Sequence, residues 1–236
     1  HRNGAGQRVH VPAEHGGGRR VACMPAVAEE KHWTRPLRSF ASHDTPVSII
    51  IAVRNGLALT RDCIASLREH AGCPYELIAV DNGSTDGSAA WLKAQPDVKL
   101  LKHTSNLGVA AAWNRGLCVA KHDVLMVLNN DIIAHENGIA TLVAAAVETG
   151  ISGQTGGIIP RGRADGIATA DTHFSQYVEG YALAFRRDVW EAVGEFDEGY
   201  AVAYCEDSDW CFRAKEMSYR WELVPGALTH LGGRTS

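Results

Sequence analysis

The sequence predicts an α/β fold, in which a mostly parallel, Rossmann-like central sheet carries helices on both faces. Short and almost continuously apolar runs recur along the chain, as is typical of strands that are buried on both faces. Between these runs, apolar residues repeat at helical spacing. Of the 236 residues, 45% are hydrophobic and 21% are charged, a composition that is ordinary for a soluble globular protein with a sizeable core.

The N-terminal stretch differs from the rest of the chain. Residues 1–45 carry a net charge of +3, a run of three glycines at 16–18 and few apolar residues. They show no periodicity, so we predict an extended arm or linker there. Residues 46–236 are predicted to form the α/β domain.

The elements of the first half follow directly from the pattern. Apolar runs predict strands at residues 47–53, 76–80, 98–103 and 123–128. Helices are predicted between them at residues 63–71, 88–93 and 106–120. Gly72 stands where a helix C-cap glycine belongs.

The pattern is weaker after residue 150. Residues 153–180 are rich in Gly, Thr and Asp, which predicts a long loop with one strand at its start. Part of this loop, residues 161–180, is either a mobile lid or a disordered loop. Further elements are predicted as a strand at 181–185, a helical turn at 188–193, a helix with Trp210, Cys211, Ala214 and Met217 on one face, and closing strands at 222–224 and 227–230.

Charge and cysteine content exclude some classes of protein. The net charge of −4 counts against a general nucleic-acid binder, and no run reaches the roughly 18 apolar residues of a membrane helix. None of the six cysteines forms a C-x-x-C pair. We predict Cys63, Cys118 and Cys211 to be buried free thiols, which together with the absence of a signal-peptide pattern indicates a cytoplasmic protein.

Three strand ends carry polar residues that could bind a ligand. Open α/β sheets bind ligands beyond the carboxyl ends of their strands, and here those ends are residues 54–56, 81–88 and 129–131. No G-x-G-x-x-G motif follows the first strand, and no P-loop motif occurs. A bound phosphate would therefore need another partner, for which a divalent cation is the first candidate.

Two residues are candidate ligands for such a cation. Asp131 ends an apolar strand, so its carboxylate is predicted at the rim of the sheet, although a turn or helix cap would also explain it. His230, near the end of the chain, would shift the preference from Mg²⁺ towards Mn²⁺. A purely structural histidine is the alternative.

A third cluster of polar residues begins a predicted helix. Glu206, Asp207 and Asp209 fall in the first turn, where the helix dipole favours negative charge. One of them could instead accept a proton from an incoming hydroxyl group. The spacing is compatible with both interpretations.

Six stretches of the sequence together resemble the family-2 glycosyltransferases with the GT-A fold. They are VSIIIAVRNG, ELIAVDNGSTDGS, SNLGVAAAWNRGL, DVLMVLNND, GYALAFRRDVWEAVGEFDEGY and CEDSDWCFR. Their order and spacing also match the family, over residues 46–236. The chain is most similar to bacterial enzymes that add single sugars, such as rhamnosyltransferase-like members.

The resemblance implies a role for each polar cluster. Asp131 occupies the last position of the family's D-x-D motif and would hold Mn²⁺ or Mg²⁺ together with His230. Asp207, the aspartate of the family's E-D pair, would be the general base. The residues implied in nucleotide and donor binding are Val53, Asn55, Asp81, Asn129, Asn130, Gly180 and Tyr181. Those implied near the acceptor are Glu206 and Trp210.

The activity that the resemblance implies is metal-dependent, inverting transfer of a sugar from a nucleoside diphosphate to an acceptor hydroxyl. The acceptor could be a glycan, a lipid-linked glycan, a small molecule or a peptide, and association with a membrane surface is not indicated. A non-catalytic nucleotide- or glycan-binding module is one alternative, because Asn129 brings no charge to the D-x-D position. A sugar nucleotidyltransferase is another, but residues 54–56 lack the basic, glycine-rich loop that it would need.

Overall fold

The computed structural model describes residues 44–159, 167–173, 175–200 and 204–232. The chain divides into two units, residues 1–36 and 37–236, and the first lies wholly outside the described ranges. All of the predicted arm except residues 44 and 45 lies outside them, as do residues 160–166 and 174 of the predicted loop. In the described part, no helix is both long and apolar enough to cross a membrane.

The described residues form twelve strands and six helices. In chain order they are β1 (Val47–Val53), α1 (Leu57–His70), β2 (Tyr75–Asn82), α2 (Ser88–Lys93), β3 (Val98–His103), α3 (Val109–Leu117), β4 (Val124–Asn129), β5 (Ile132–Ala134), α4 (Gly138–Thr149), β6 (Gly150–Gly153), β7 (Gly156–Ile158), β8 (Ile167–Thr169), β9 (Tyr177–Val178), β10 (Ala182–Arg186), α5 (Arg187–Val193), α6 (Glu206–Glu216), β11 (Arg220–Leu223) and β12 (Leu228–His230).

A seven-stranded, mostly parallel sheet forms the centre, as predicted. Its strand order is β11-β6-β10-β4-β1-β2-β3, and β10 alone among the described strands of this sheet runs against its neighbours. Alternate residues of β1 enter opposite core layers, because side chains alternate across a strand. Ile49 and Ile51 pack in the layer that includes α1 and α4, whereas Ile50 packs in the layer that includes α3, α5 and α6.

The register of the sheet brings the polar strand ends together. Val53 pairs with Asp81 of β2, and Ala52 pairs with Asn129 of β4. The ends of β4, β1 and β2 therefore lie side by side at one edge of the sheet. The two-stranded sheet of β5 and β12 extends this edge, because its register places His230 opposite Ile132.

The prediction of a long loop with one strand at its start over residues 153–180 is incomplete, because three short strands lie in its described part. Here β7 pairs with β8 and with β9 in a separate three-stranded sheet. Two of the three residues of β7 are glycines, which makes this strand hard to recognise in the sequence, but the close packing requires them. A Cβ at Gly157 would overlap the Tyr177 ring, and one at Gly156 would overlap the Ser175 hydroxyl.

Two predictions about single side chains are also corrected. Cys63 and Cys211 are buried free thiols, as expected, but Cys118 is exposed after α3 and is disulfide-bonded. Cys118 therefore gives no support for a reducing compartment. Met217 directly follows α6 and is 52% exposed, so it is not part of the buried face of that helix.

Candidate functional site

The loop after β1 is tied to the loop after β2 by its own polar groups. The Asn55 backbone N–H donates to the Ser84 hydroxyl at 2.8 Å, and the Asn55 side-chain oxygen accepts from the Thr85 backbone N–H at 2.8 Å. Asn55 has a φ of 58°, in the left-handed region that asparagine tolerates better than most residues. Arg54 donates to the carbonyls of Asn82 and Gly83. The two loops therefore form one rigid unit.

Asp81 is buried in the floor of this unit. Its side chain is 1% exposed, and its Oδ1 accepts from the Ser84 backbone N–H at 3.1 Å. Val53 lies beside it in the sheet but packs entirely in the apolar core. Only the main chain of Val53 can therefore line a pocket with Asp81 and Asn55.

Asn82 organises a third loop and was not recognised in the sequence. Its side-chain oxygen faces His103 Nδ1 at 2.9 Å and accepts from the Leu107 backbone N–H, while its amide donates to the Asn106 side chain and the Gly108 carbonyl. These partners lie more than 20 residues away in the chain, so no local pattern reveals them. The loop between β3 and α3 is thus fixed to the end of β2.

Asn130 is buried, and its side-chain amide contacts residues at the start of α1 and in the loop before it. It is 5% exposed, and its amide donates to the Asn55 carbonyl at 3.2 Å and to the Thr60 hydroxyl at 2.9 Å. These contacts fix the end of β4 against the loop after β1. The predicted donor contact of its side chain is therefore replaced by a structural role.

Asp131 and His230 come together as the sequence predicts. Asp131 is 2% exposed, and its Oδ1 lies 3.2 Å from His230 Nε2. That oxygen is buried and accepts no hydrogen bond from the residues that the structure describes. The Asn129 amide lies 3.4 Å from the same imidazole nitrogen.

This pair fits a divalent cation with few protein ligands. In the tautomer that carries its proton on Nδ1, the Nε2 atom of His230 presents a lone pair next to the unpaired carboxylate oxygen of Asp131, and a cation satisfies both. Within the described ranges, no group of three or more His, Cys, Asp or Glu side chains is placed to hold a metal ion. The remaining ligands would have to be phosphate and water, as is usual for cations on nucleotides.

Tyr181 stacks on the imidazole of this pair. The ring centroids of Tyr181 and His230 are 4.3 Å apart, and the planes are inclined by 10°. The Tyr181 carbonyl also accepts from the Asn129 backbone N–H at 3.1 Å. The start of β10 is thereby fixed to the end of β4.

Asp207 lies next to Gly180, the residue before Tyr181. Its Oδ2 accepts from the Gly180 backbone N–H at 2.7 Å, and its Oδ1 accepts from the Ser208 backbone N–H at 2.7 Å. Burial raises the pKa of Asp207, although these N–H donors act in the opposite direction. A carboxylate with a raised pKa is a better proton acceptor.

Glu206 and Trp210 are both buried, in different ways. Glu206 is 5% exposed, and its Oε2 has no hydrogen-bond partner among the described residues. Burial, assisted by the charge of Asp207, raises its pKa to about 7. Trp210 is fully buried, donates to the Gly194 carbonyl and packs on Phe185 and Phe196. The predicted acceptor contact of Trp210 is therefore wrong, because its ring belongs to the core.

Comparison with known proteins identifies relatives of this chain. The family model "Glycosyl transferase family 2" matches residues 48–213. The chain is 28% identical over 209 residues to the pre-mycofactocin glycosyltransferase of Mycobacterium tuberculosis, covering 80% of this chain and 43% of the relative. It is 30% identical over 100 residues to glycosyltransferase GlyG of Streptococcus pneumoniae, covering 41% of this chain and 33% of the relative. The chain thus spans less than half the length of these two relatives.

A solved structure has a similar fold. The mannosyltransferase PcManGT from Pyrobaculum calidifontis, in complex with GDP-Man and Mn²⁺, superposes with a TM-score of 0.59 at 22% sequence identity. The match covers 77% of this chain and 55% of that protein. At this level of identity, the likeness concerns the fold.

Proposed function

The chain belongs to glycosyl transferase family 2 and has the GT-A fold, and from this we propose that it transfers a sugar from a nucleoside-diphosphate donor to an acceptor hydroxyl. One observation carries the proposal. Gly180 and Tyr181, adjacent in sequence, contact the candidate base and the candidate cation site respectively. A donor diphosphate held at Asp131 would therefore have its sugar close to Asp207.

The nucleotide end of the donor is assigned to the unit formed by the loops after β1 and β2. Asp81 lies at its floor, and the main chain of Val53 and the side chain of Asn55 lie beside it. Because Asn55 and Arg54 fix the two loops to each other, the base would enter a preformed site.

A divalent cation, Mn²⁺ or Mg²⁺, would be held by Asp131 and His230. The unpaired and buried Oδ1 of Asp131 supports this assignment. When bound, such a cation supplies a positive charge that stabilises the departing diphosphate. The amide of Asn129, which lies near His230, can contribute an oxygen but no charge. In our proposal, Asp131 therefore carries the negative charge that the protein contributes to the cation site.

Asp207 is proposed as the general base. Its two N–H donors fix the orientation of the carboxylate, and burial keeps its pKa raised. It would take the proton of the acceptor hydroxyl as that oxygen attacks the anomeric carbon, while the bond to the diphosphate breaks. A single displacement of this kind inverts the anomeric configuration. Glu206, with its unpaired Oε2, would lie on the acceptor side of Asp207.

The proposal is tested by ligand-dependent stabilisation. We would measure Tm with UDP, GDP and dTDP, each with and without Mn²⁺, in the wild type and in Asp131→Asn. A ligand present at a hundredfold excess over its Kd stabilises the native state by about 2.7 kcal/mol. We expect one nucleotide to stabilise the wild type in a Mn²⁺-dependent way, and the dependence on Mn²⁺ to be lost in the variant.

A second measurement separates an enzyme from a binding module. Slow hydrolysis of the matching nucleotide sugar, without any acceptor, is expected for a transferase. Nucleotide-dependent stabilisation without any turnover would favour the alternative of a non-catalytic binding module, in which the uncharged Asn129 replaces a charged residue. Stabilisation by none of the three nucleotides would contradict the donor site itself.

A further inference from the structure

We propose that Tyr181 is a positioning residue of the cation site, which holds the imidazole of His230 in the orientation that cation binding requires. The inference rests on the proposed function, because it concerns the site assigned to Asp131 and His230. It assigns to Tyr181 a role that does not depend on contact with the donor sugar. Three sets of contacts support it.

The first is the stack itself. With centroids 4.3 Å apart and planes within 10° of parallel, the phenol ring covers one face of the His230 imidazole. Rotation of the imidazole about χ2 would drive its edge into the phenol ring. The stack therefore restricts the imidazole to the ring plane in which Nε2 lies 3.2 Å from the Asp131 carboxylate.

The second is a directed chain of hydrogen bonds that anchors the phenol. The Gln154 amide donates to the Tyr181 hydroxyl at 3.4 Å, and the Tyr181 and Thr155 hydroxyls are 2.6 Å apart. Thr155 donates its own proton to Glu179, so the proton shared with Tyr181 must come from the phenol. Each group in the chain is satisfied, and the chain ends on a carboxylate, which strengthens it.

The third set joins this anchor to the strand that carries His230. The side-chain oxygen of Gln154 accepts from the Leu228 backbone N–H, at the first residue of β12. At the other end of this strand, the Leu231 backbone N–H donates to the Asp131 carbonyl. The backbone of β12 and the ring of its histidine are thus positioned by one connected network.

Positioning is needed because the site has few protein ligands. A short strand of three residues supplies His230, and in the tautomer that carries its proton on Nδ1, the lone pair of Nε2 faces a carboxylate oxygen that repels it in the absence of a cation. Outer contacts that orient a metal-ligating histidine typically account for 10- to 100-fold in metal affinity. Tyr181 is the residue placed to supply this orientation.

The test measures Mn²⁺ binding directly, by electron paramagnetic resonance, in the presence of the stabilising nucleotide. The variants are Tyr181→Leu, which removes the stack, and Tyr181→Phe, which keeps the ring and removes the anchoring hydroxyl. Tyr75→Phe, at the start of β2 and the opposite edge of the sheet, is the matched control. We expect the Kd for Mn²⁺ to rise about tenfold in Tyr181→Leu, to rise less in Tyr181→Phe, and to be unchanged in the control.

A second readout needs no metal. In the wild type, the ring current of Tyr181 should shift the His230 imidazole protons upfield in the NMR spectrum. This shift should persist in Tyr181→Phe and vanish in Tyr181→Leu. An unchanged Kd for Mn²⁺ in Tyr181→Leu, with normal wild-type binding, would overturn the inference alone. Absence of Mn²⁺ binding in the wild type would overturn both the inference and the proposed cation site.

Discussion

The backbone N–H of Gly180 donates to Oδ2 of Asp207 at 2.7 Å, and no larger residue fits at position 180 without displacing a neighbour. A Cβ on Gly180 would lie 2.6 Å from Cη2 of Trp113 and 3.1 Å from Cβ of Asp207. Trp113 is buried and packs on Phe196, so it has little room to move. The identity of residue 180 therefore controls where the carboxylate of Asp207 lies.

Gly180→Ala should reduce both the rate of transfer and the stability of the fold. Overpacking of this kind costs about 1–3 kcal/mol in the free energy of unfolding, whereas a displacement of about 1 Å at a catalytic group can cost about a hundredfold in rate. Donor turnover and thermal unfolding would measure the two effects. Trp113→Phe removes the clashing atom, so the double variant should recover part of the rate. No recovery would show that the clash with Trp113 is not the cause.

Asp207→Asn should abolish transfer and leave nucleotide binding intact. General bases typically contribute 10²–10⁴-fold to the rate, and the amide cannot accept the proton. Turnover and nucleotide-dependent Tm should be compared with those of Asp209→Asn. Asp209 pairs with Arg213 along the same helix, an interaction worth less than about 1 kcal/mol. Equal activity of the two variants would argue against Asp207 as the base.

Glu206→Gln should change how stability depends on pH. The pKa of Glu206 is raised to about 7 from an ordinary value of 4.5, first because of burial. Below pH 4 the carboxyl is protonated in both the folded and the unfolded state and costs nothing. Between about pH 4.5 and 7 the unfolded state loses its proton first, so the wild type loses stability as the pH rises.

The glutamine variant does not titrate and should avoid this loss. Its free energy of unfolding, relative to the wild type, should rise by up to about 3 kcal/mol between pH 4 and pH 8. Denaturant unfolding of both proteins across this range would measure the difference. A difference that is independent of pH would mean that Glu206 titrates normally in the folded protein.

Asn129→Asp should tighten cation binding. The Asn129 side chain lies 3.4 Å from His230 Nε2, so a carboxylate there adds a second negative charge to the site. Affinity for hard cations rises with ligand charge, and we expect a Kd for Mn²⁺ about fivefold lower. Without metal, the introduced carboxylate and that of Asp131 would repel each other. Tm should therefore fall in EDTA and rise above that of the wild type in Mn²⁺, and an unchanged Mn²⁺ affinity would place residue 129 outside the site.

The sequence predicts best the elements that packing alone determines. The bounds of β1 and β3 agree with the prediction, and for β1 the reason is an almost continuously apolar run that ends at a polar loop. Helix α4 (Gly138–Thr149) was not predicted. The sequence signal for β7 to β9 is weak because each strand is only two or three residues long, and because two of the three residues of β7 are glycines, which the contacts with Ser175 and Tyr177 require.

The candidate site was predicted in part for a related reason. Asp131 and Asp207 stand at element ends that a local pattern reveals, whereas the environment of each depends on distant residues. The network of Asn82 and the stack on His230 join residues that are far apart in the chain. The acceptor contact of Trp210 was implied by the family resemblance, whereas its burial depends on packing against Phe185 and Phe196, which are distant in the chain.

Strand β10 runs against its neighbours, and this reversal of chain polarity determines what the edge of the sheet can offer. Parallel strands finish at this edge and place there the side chains at or just after their ends, such as Asp81 and Asp131. Strand β10 instead begins at this edge, so the residues just before it lie there and offer backbone groups. Gly180 supplies an N–H and Tyr181 supplies a carbonyl, whereas the neighbouring strands end at this edge. Changes in length between Val178 and Ala182 would shift the register of the base and of the histidine together.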